Sequence, residues 1–193
     1  MSMAIGRARA RDWTLAPRRA KLSRKRRGCE AGMTDGTVAD QELTIARESP
    51  LRDDLALLFQ RHTADMHADT PPESIHMLPR ESLAVPGIGF HVARLGGVPV
   101  AMGAMKRLDD AHGELKSMHV LAEYRGRGLS RLMLEHLIAE ARADGLRRLS
   151  LETGVQPTFL AARALYARAG FADCPPFGDY RADPNSVFMT RTI

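Results

Sequence analysis

Apolar residues recur at helical spacing in two stretches of the chain and alternate or cluster in short runs elsewhere. Leu129, Leu132, Met133, Leu137 and Ile138 define one face of a helix over residues 129–143, which Asp144-Gly145 stops. Upstream, Leu51, Leu55, Leu58 and Phe59 define the apolar face of a helix that ends near Arg61 or Ala64. Ser49 reads as its cap, with Pro50 at its first position. A further helix is predicted over residues 159–168. The strand pattern covers residues 42–47, then 89–95 and 98–108 joined by a Gly96-Gly97 turn, then 114–120 after a turn at 109–113. Residues 146–153 read as another strand, Phe171 opens a C-terminal pair, and 187–192 is the last strand. Between His67 and Pro86 the chain is rich in Pro, His, Met and acids. It reads as a loop with one helical turn near Pro79 to Leu83, suited to covering a pocket. A meander feeding a strand–helix–strand–helix–strand unit predicts a layered α/β or α+β domain.

Composition changes this picture at one end only. The chain has 193 residues, enough for one domain, with a net charge of +5. Residues 1–32 hold ten Lys/Arg against two acids, so the remaining 161 residues, with eighteen against twenty-one, carry −3. The basic balance therefore belongs to a leader. It has no continuous apolar run and is not a secretory signal. Three readings stay open: a disordered basic arm contacting nucleic acid or acidic lipid, an organellar transit peptide, or sequence upstream of a natural start at Met33. Nucleic acid is not expected as a partner except through residues 1–32. No run approaches a membrane span. The two cysteines, Cys29 and Cys174, are far apart in sequence, which fits a reducing, cytoplasmic setting.

The most informative segment joins the fourth strand to the long helix: V-L-A-E-Y-R-G-R-G-L-S, residues 120–130. Glycines at a strand-to-helix turn let backbone N–H groups approach an anion, and the helix dipole favours negative charge there. A pyrophosphate would suit such a turn; so would water around a merely structural one. The motif Arg125-x-x-Gly128-x-Ser130 resembles the acyl-CoA-binding signature of the GNAT acetyltransferase superfamily. About forty residues later, Ala162-x-x-Leu165-Tyr166-x-x-x-Gly170-Phe171 is similar to that family's second conserved block. The resemblance covers residues 42–193, and the tail P-P-F-G-D-Y…S-V-F-M-T is similar to small bacterial single-domain members. Two positions depart from the pattern. Ser130 stands where Gly or Ala is usual, and Phe159 stands where many members carry Asn, so no role of that Asn carries over.

The resemblance implies a mixed, mostly antiparallel central sheet with helices on both faces and one splayed pair of strands, here 114–120 and 146–153. It implies acetyl-CoA as cosubstrate. The pantetheine arm would meet the backbone of Met118, His119 and Val120, and the pyrophosphate would sit on the turn formed by Arg125, Gly126, Arg127, Gly128, Leu129, Ser130 and Arg131. The acceptor would be a small-molecule or peptide amine, attacked directly in a ternary complex; a homodimer is compatible. The alternative is a non-catalytic acyl-CoA-sensing module with a basic arm.

Acetyl transfer to an amine needs a base for the amine and a proton donor for the departing thiolate. By resemblance Tyr166 is the donor; on the residues alone it reads as a core tyrosine on an amphipathic helix, beside Leu165. Glu114 lies eleven positions before Arg125, the spacing of the general base in lysine-acetylating members, and otherwise reads as a solvated strand-edge residue paired with Lys116. Glu152 is a second candidate base. Glu73, Ser74, His76 and Tyr180 are candidates for acceptor recognition. His119 reads as structural or solvent-facing. His62, His67, His76 and His91 lack metal-ligand spacing, so no metal is expected.

Overall fold

The computed structural model describes residues 42–193 and the strand β1 (Arg18–Ala20). The other strands are β2 (Leu43–Arg47), β3 (Ile88–Leu95), β4 (Val98–Arg107), β5 (His112–Val120), β6 (Arg148–Gly154), β7 (Ala172–Asp173) and β8 (Ser186–Thr192). They form one sheet in the order β1-β2-β3-β4-β5-β6-β8-β7, antiparallel throughout except where β5 runs parallel to β6. The helices are α1 (Ala56–Asp69), the single turn α2 (Arg80–Leu83), α3 (Leu129–Ala143) and α4 (Leu160–Arg168). No helix among the described residues is long and apolar enough to cross a membrane.

Period-two alternation sends each central strand's side chains to two cores. On β3, Phe90 and Val92 join Leu55, Leu58 and Phe59 of the α1 segment, while Ala93 joins Met133, Leu137 and Ala141 of α3. The sheet is thus buried on both faces, as the resemblance implied. The leader touches it at β1, where Arg18, Arg19 and Ala20 pair with Ile45, Thr44 and Leu43. The rest of the leader, including Met33, lies outside the described residues.

Most predicted elements fall within a few residues of the observed ones. The first helix does not. Ser49 Oγ accepts the Leu51 N–H at 3.2 Å, but the chain then stays non-helical until a 3₁₀ turn at Asp53–Leu55, and Leu51 is left exposed. Tertiary ion pairs explain the delay: Glu48 and Asp54 both bind Arg94 of β3, at 2.8 and 2.9 Å, and Arg80 donates to the Pro50 and Arg52 carbonyls. These tethers hold 48–54 as a strap across β3. The helix instead continues past Ala64 to Asp69.

Candidate active site

The parallel ladder between β5 and β6 ends early. Its last pair is Leu115 with Leu151, so residues 116–120 and 152–154 have no partner across the gap. On its other side β5 remains paired to β4, with one extra residue: Ala104 faces Lys116, but Met102 faces His119. A bulge of this kind bends a strand and strengthens its twist. Ser117 sits in it at φ 52°, the one non-glycine residue at positive φ among those described. The bulge therefore coincides with the point where the strands part. Met118, His119 and Val120 follow it along the open edge.

The gap leads to the predicted turn. Gly126 and Gly128 have φ of 75° and 81°, and a Cβ at either would meet nothing within 4 Å. The turn is open to solvent, and glycine there serves the left-handed backbone. Gly128 is the N-cap of α3, with no side chain bonded to the exposed helix amides. This leaves the first N–H groups of a 15-residue helix facing outward, a cradle that fits a pyrophosphate. Arg125 is fixed above the gap: Nε donates to the Val120 carbonyl at 3.0 Å, and Nη2 to Asp65 of α1 at 2.6 Å. Arg127 packs over the Tyr124 ring, and Arg131 pairs with Glu135.

Between the turn and α4 lies a cleft of about 480 Å³, lined by Met118, His119, Val120, Arg125, Gly126, Leu129, Ser130, Phe159 and Tyr166, with His62 and Asp65 from α1. His119 is buried rather than solvent-facing, and its Nε2 has no hydrogen-bond partner among the described residues. Burial holds the imidazoles of His62 and His119 down to about 4, so both are neutral near pH 7. Phe159 fills the wall where the family's Asn would stand, packed against Gly154 so closely that a Cβ there would clash.

The cleft narrows to a throat of about 100 Å³, where Tyr166 and Glu152 both line the wall with Met118 and His76. Tyr166 is buried. Burial first, and the Glu152 charge second, raise its phenol above the usual range, so it stays protonated. Burial also raises the Glu152 carboxyl, against a 2.7 Å hydrogen bond from Ser186 Oγ.

Beyond the throat a basin of about 640 Å³ opens between the 70–78 loop and the C-terminal tail. Glu73, Ser74, His76 and Tyr180, four separate sequence candidates, line it together, and Asn185 Nδ2 bonds Ser74 Oγ at 3.1 Å across the two segments. Glu114 forms part of its floor. It is only 3% exposed, so the solvated reading is wrong. Its Oε1 accepts from Tyr180 OH at 2.6 Å and from Lys116 Nζ at 3.0 Å, and Lys116 also donates to the Tyr180 oxygen at 2.7 Å. Burial and the Glu114 charge push the Tyr180 phenol up, so it remains a donor.

The sequence did not single out Asp65 or Met66 of α1, or Lys106 of the basin; it raised His62 only as a metal ligand and Phe177 only within the tail motif. Their only signal is apolar and charged residues on elements that the sheet brings together.

The model of the Acetyltransferase (GNAT) family matches residues 53–171, most of the described domain. The chain belongs to the GNAT acetyltransferase family. It is 42% identical over 136 residues to the uncharacterized N-acetyltransferase YedL of Escherichia coli, covering 70% of this chain and 86% of that one. It is 44% identical over 156 residues to an IAA acetyltransferase of Azospirillum brasilense, covering 78% and 98%. A solved acetyltransferase from Streptococcus agalactiae shares the fold, with a TM-score of 0.63 at 19% identity, over 78% of this chain and 98% of that one. This GNAT chain is an acyltransferase.

Proposed function

We propose that this GNAT protein transfers the acetyl group of acetyl-CoA to a small primary amine by direct attack in a ternary complex. The supporting observation is the path from the glycine turn, through the parted strands, to a throat with one protonated phenol and one half-buried carboxylate. When bound, acetyl-CoA supplies an acetyl group activated as a thioester and departs as a free thiol. The turn from Arg125 to Arg131 holds its phosphates on backbone amides. The open edge at Met118, His119 and Val120 aligns its pantetheine arm. Glu152 accepts the proton that the acceptor nitrogen gives up as its lone pair forms the N–C bond. Tyr166 gives its phenolic proton to the sulfur as the C–S bond breaks, and is reprotonated through solvent.

Glu114, the base suggested by spacing, takes a different task in this reading. It does not line the throat, and its Oε1 is committed to Tyr180 and Lys116. It fixes those two groups at the floor of the acceptor basin. The basin carries Lys106 and Arg181 as well as Glu73 and Asp183. Cations lining the basin and a carboxylate at the throat suit an amine that itself bears a carboxylate. Its volume is in the range of small-molecule sites. A panel of amino acids and their methyl esters, followed by thiol release, tests this. The acids should react with lower KM, and Lys106→Ala should remove the difference; equal KM values would rule out carboxylate recognition.

Gly128→Asp should weaken acetyl-CoA binding by ~10-fold or more, because it places a negative charge at the helix N-terminus where phosphate binds. Titration calorimetry on the folded variant checks this; unchanged affinity would remove the pyrophosphate from this turn. Residues 1–32 should be dispensable for the same binding, since the charge break precedes β2 and β1 lies at the edge of the sheet, away from the turn after β5. A chain starting at Met33 should keep its coenzyme affinity, and failure of that chain to fold would overturn the assignment.

A further inference from the structure

On the α3 face of the sheet, apart from the cleft, throat and basin, three side chains with metal-ligating atoms are buried together. His136 and Glu140 stand one helical turn apart on α3, so both project from the same stripe. His91 lies on β3, one residue pair from Ala93, which packs under α3. The exposures are 3% for His91 and 8% for each of the other two, and their ligand atoms all lie within 4.8 Å of one another. His136 Nε2 is 2.9 Å from His91 Nδ1, with the ring planes at 65°. None of the three lines the path assigned to acetyl transfer.

An apolar layer is a costly place for two imidazoles and a carboxylate. A single N–H···N bond between the rings leaves the carboxylate outside that bond. A divalent cation would take one ligand atom from each of the three. We propose that His91 Nδ1, His136 Nε2 and the Glu140 carboxylate bind a divalent transition metal of the zinc type, with water as a fourth ligand.

The donor set decides the class. Two imidazoles and one carboxylate suit Zn²⁺, Co²⁺ or Ni²⁺; Ca²⁺ and Mg²⁺ take oxygen ligands, and Cu⁺ favours sulfur. Zinc–nitrogen bonds of about 2.0–2.1 Å in a tetrahedron separate two ligand nitrogens by about 3.3 Å, so the rings need part by only a few tenths of an ångström. The shared hydrogen bond is given up: both facing nitrogens present lone pairs, and each ring keeps its proton on its outer nitrogen. One ring changes tautomer, and no proton is lost from neutral imidazoles. Arg47, opposite His91 in the β2–β3 register, adds a positive charge to this patch. The Glu140 charge offsets it, and the guanidinium is also held by the Ile88 carbonyl at 3.1 Å. Sequence scanning missed the site because only His136 and Glu140 are close in sequence, and His91 joins them through the fold.

Such a metal would clamp β3 to the middle of α3, the helix whose first turn forms the phosphate cradle. Its role is structural, and its test does not depend on acetyl transfer. The full chain is stripped with a chelator and titrated with Co²⁺ alone, then with Zn²⁺. One Co²⁺ per chain should bind with the visible absorption of a four-coordinate site, Zn²⁺ should displace it, and saturating Zn²⁺ should raise Tm by several degrees. Glu140→Gln preserves side-chain volume and should weaken uptake ~10-fold or more, with His136→Gln as a second variant. Unchanged acetyl-CoA affinity in calorimetry shows that each variant is folded. Absence of stoichiometric uptake at excess Zn²⁺ would mean a hydrogen-bonded core pair only and overturn the proposal. Uptake unchanged in both variants, or a cobalt–thiolate charge-transfer band, would place the metal elsewhere and overturn it equally.

Discussion

Tyr166→Phe is expected to lower turnover by ~10²-fold or more while leaving acetyl-CoA affinity nearly unchanged. The phenyl ring keeps the packing against Phe171, whose ring centroid lies 6.0 Å away, so the fold loses little. What disappears is the phenolic proton donor of the throat. A hundredfold loss corresponds to about 2.7 kcal/mol of transition-state stabilisation. The phenol is suited to this because burial and the nearby Glu152 charge both oppose its ionisation, so it stays protonated, the state a donor requires. Steady-state rates at saturating coenzyme, with affinity measured separately, check the split. Near-native turnover would return Tyr166 to the core-residue reading, and a parallel loss of coenzyme affinity would indicate collapse of the cleft wall.

The two carboxylates should fail differently. Glu152→Gln is expected to reduce kcat by ~10²-fold near neutral pH and to recover part of it as pH rises. The sign follows from the shift. Burial raises the Glu152 carboxyl above its ordinary value, so the base is protonated at low pH and becomes active as pH climbs through that raised value. The wild-type profile should show this acid limb and the variant should lack it. Its recovery at high pH comes from acceptor amine that arrives already neutral. Glu114→Gln should act mainly on acceptor KM, because it loosens Lys116 and Tyr180 rather than the proton path. If Glu114→Gln instead shows the pH-recoverable loss of kcat and Glu152→Gln only a KM effect, the two roles are exchanged.

The parts of this protein that were legible in its sequence are those whose physics is local. The turn from Arg125 to Ser130 could be read because positive φ, strand-to-helix polarity and exposed amides are all set within a dozen residues. The helix carrying Leu129 to Ile138 could be read from its stripe. Tyr166 was singled out only by the resemblance of the block around Leu165 and Gly170 to the family's; its own local pattern is that of a core residue. Leu51 misled because its helical spacing is real but Arg94, forty positions from Asp54, and Arg80, thirty from Pro50, hold its segment in another shape. The burial of Glu114 was invisible for the same reason: its partner Tyr180 is sixty-six positions distant. The throat joins β5, β6, α4 and the 70–78 loop, so no single window contains it. The bulge at Ser117 carries no glycine to announce it and shows only in the register between β4 and β5.

Amine-dependent release of thiol from acetyl-CoA tests the central claim most directly, with the acetylated product counted by mass spectrometry across a panel of small primary amines. The path from the glycine turn to the acceptor basin predicts one thiol released per acetyl-amine formed for at least one amine that bears a carboxylate, with release abolished in a Tyr166→Phe, Glu152→Gln double variant that still binds coenzyme. Tight coenzyme binding with no amine-dependent release for any member of the panel would contradict it and favour an acyl-CoA-sensing module.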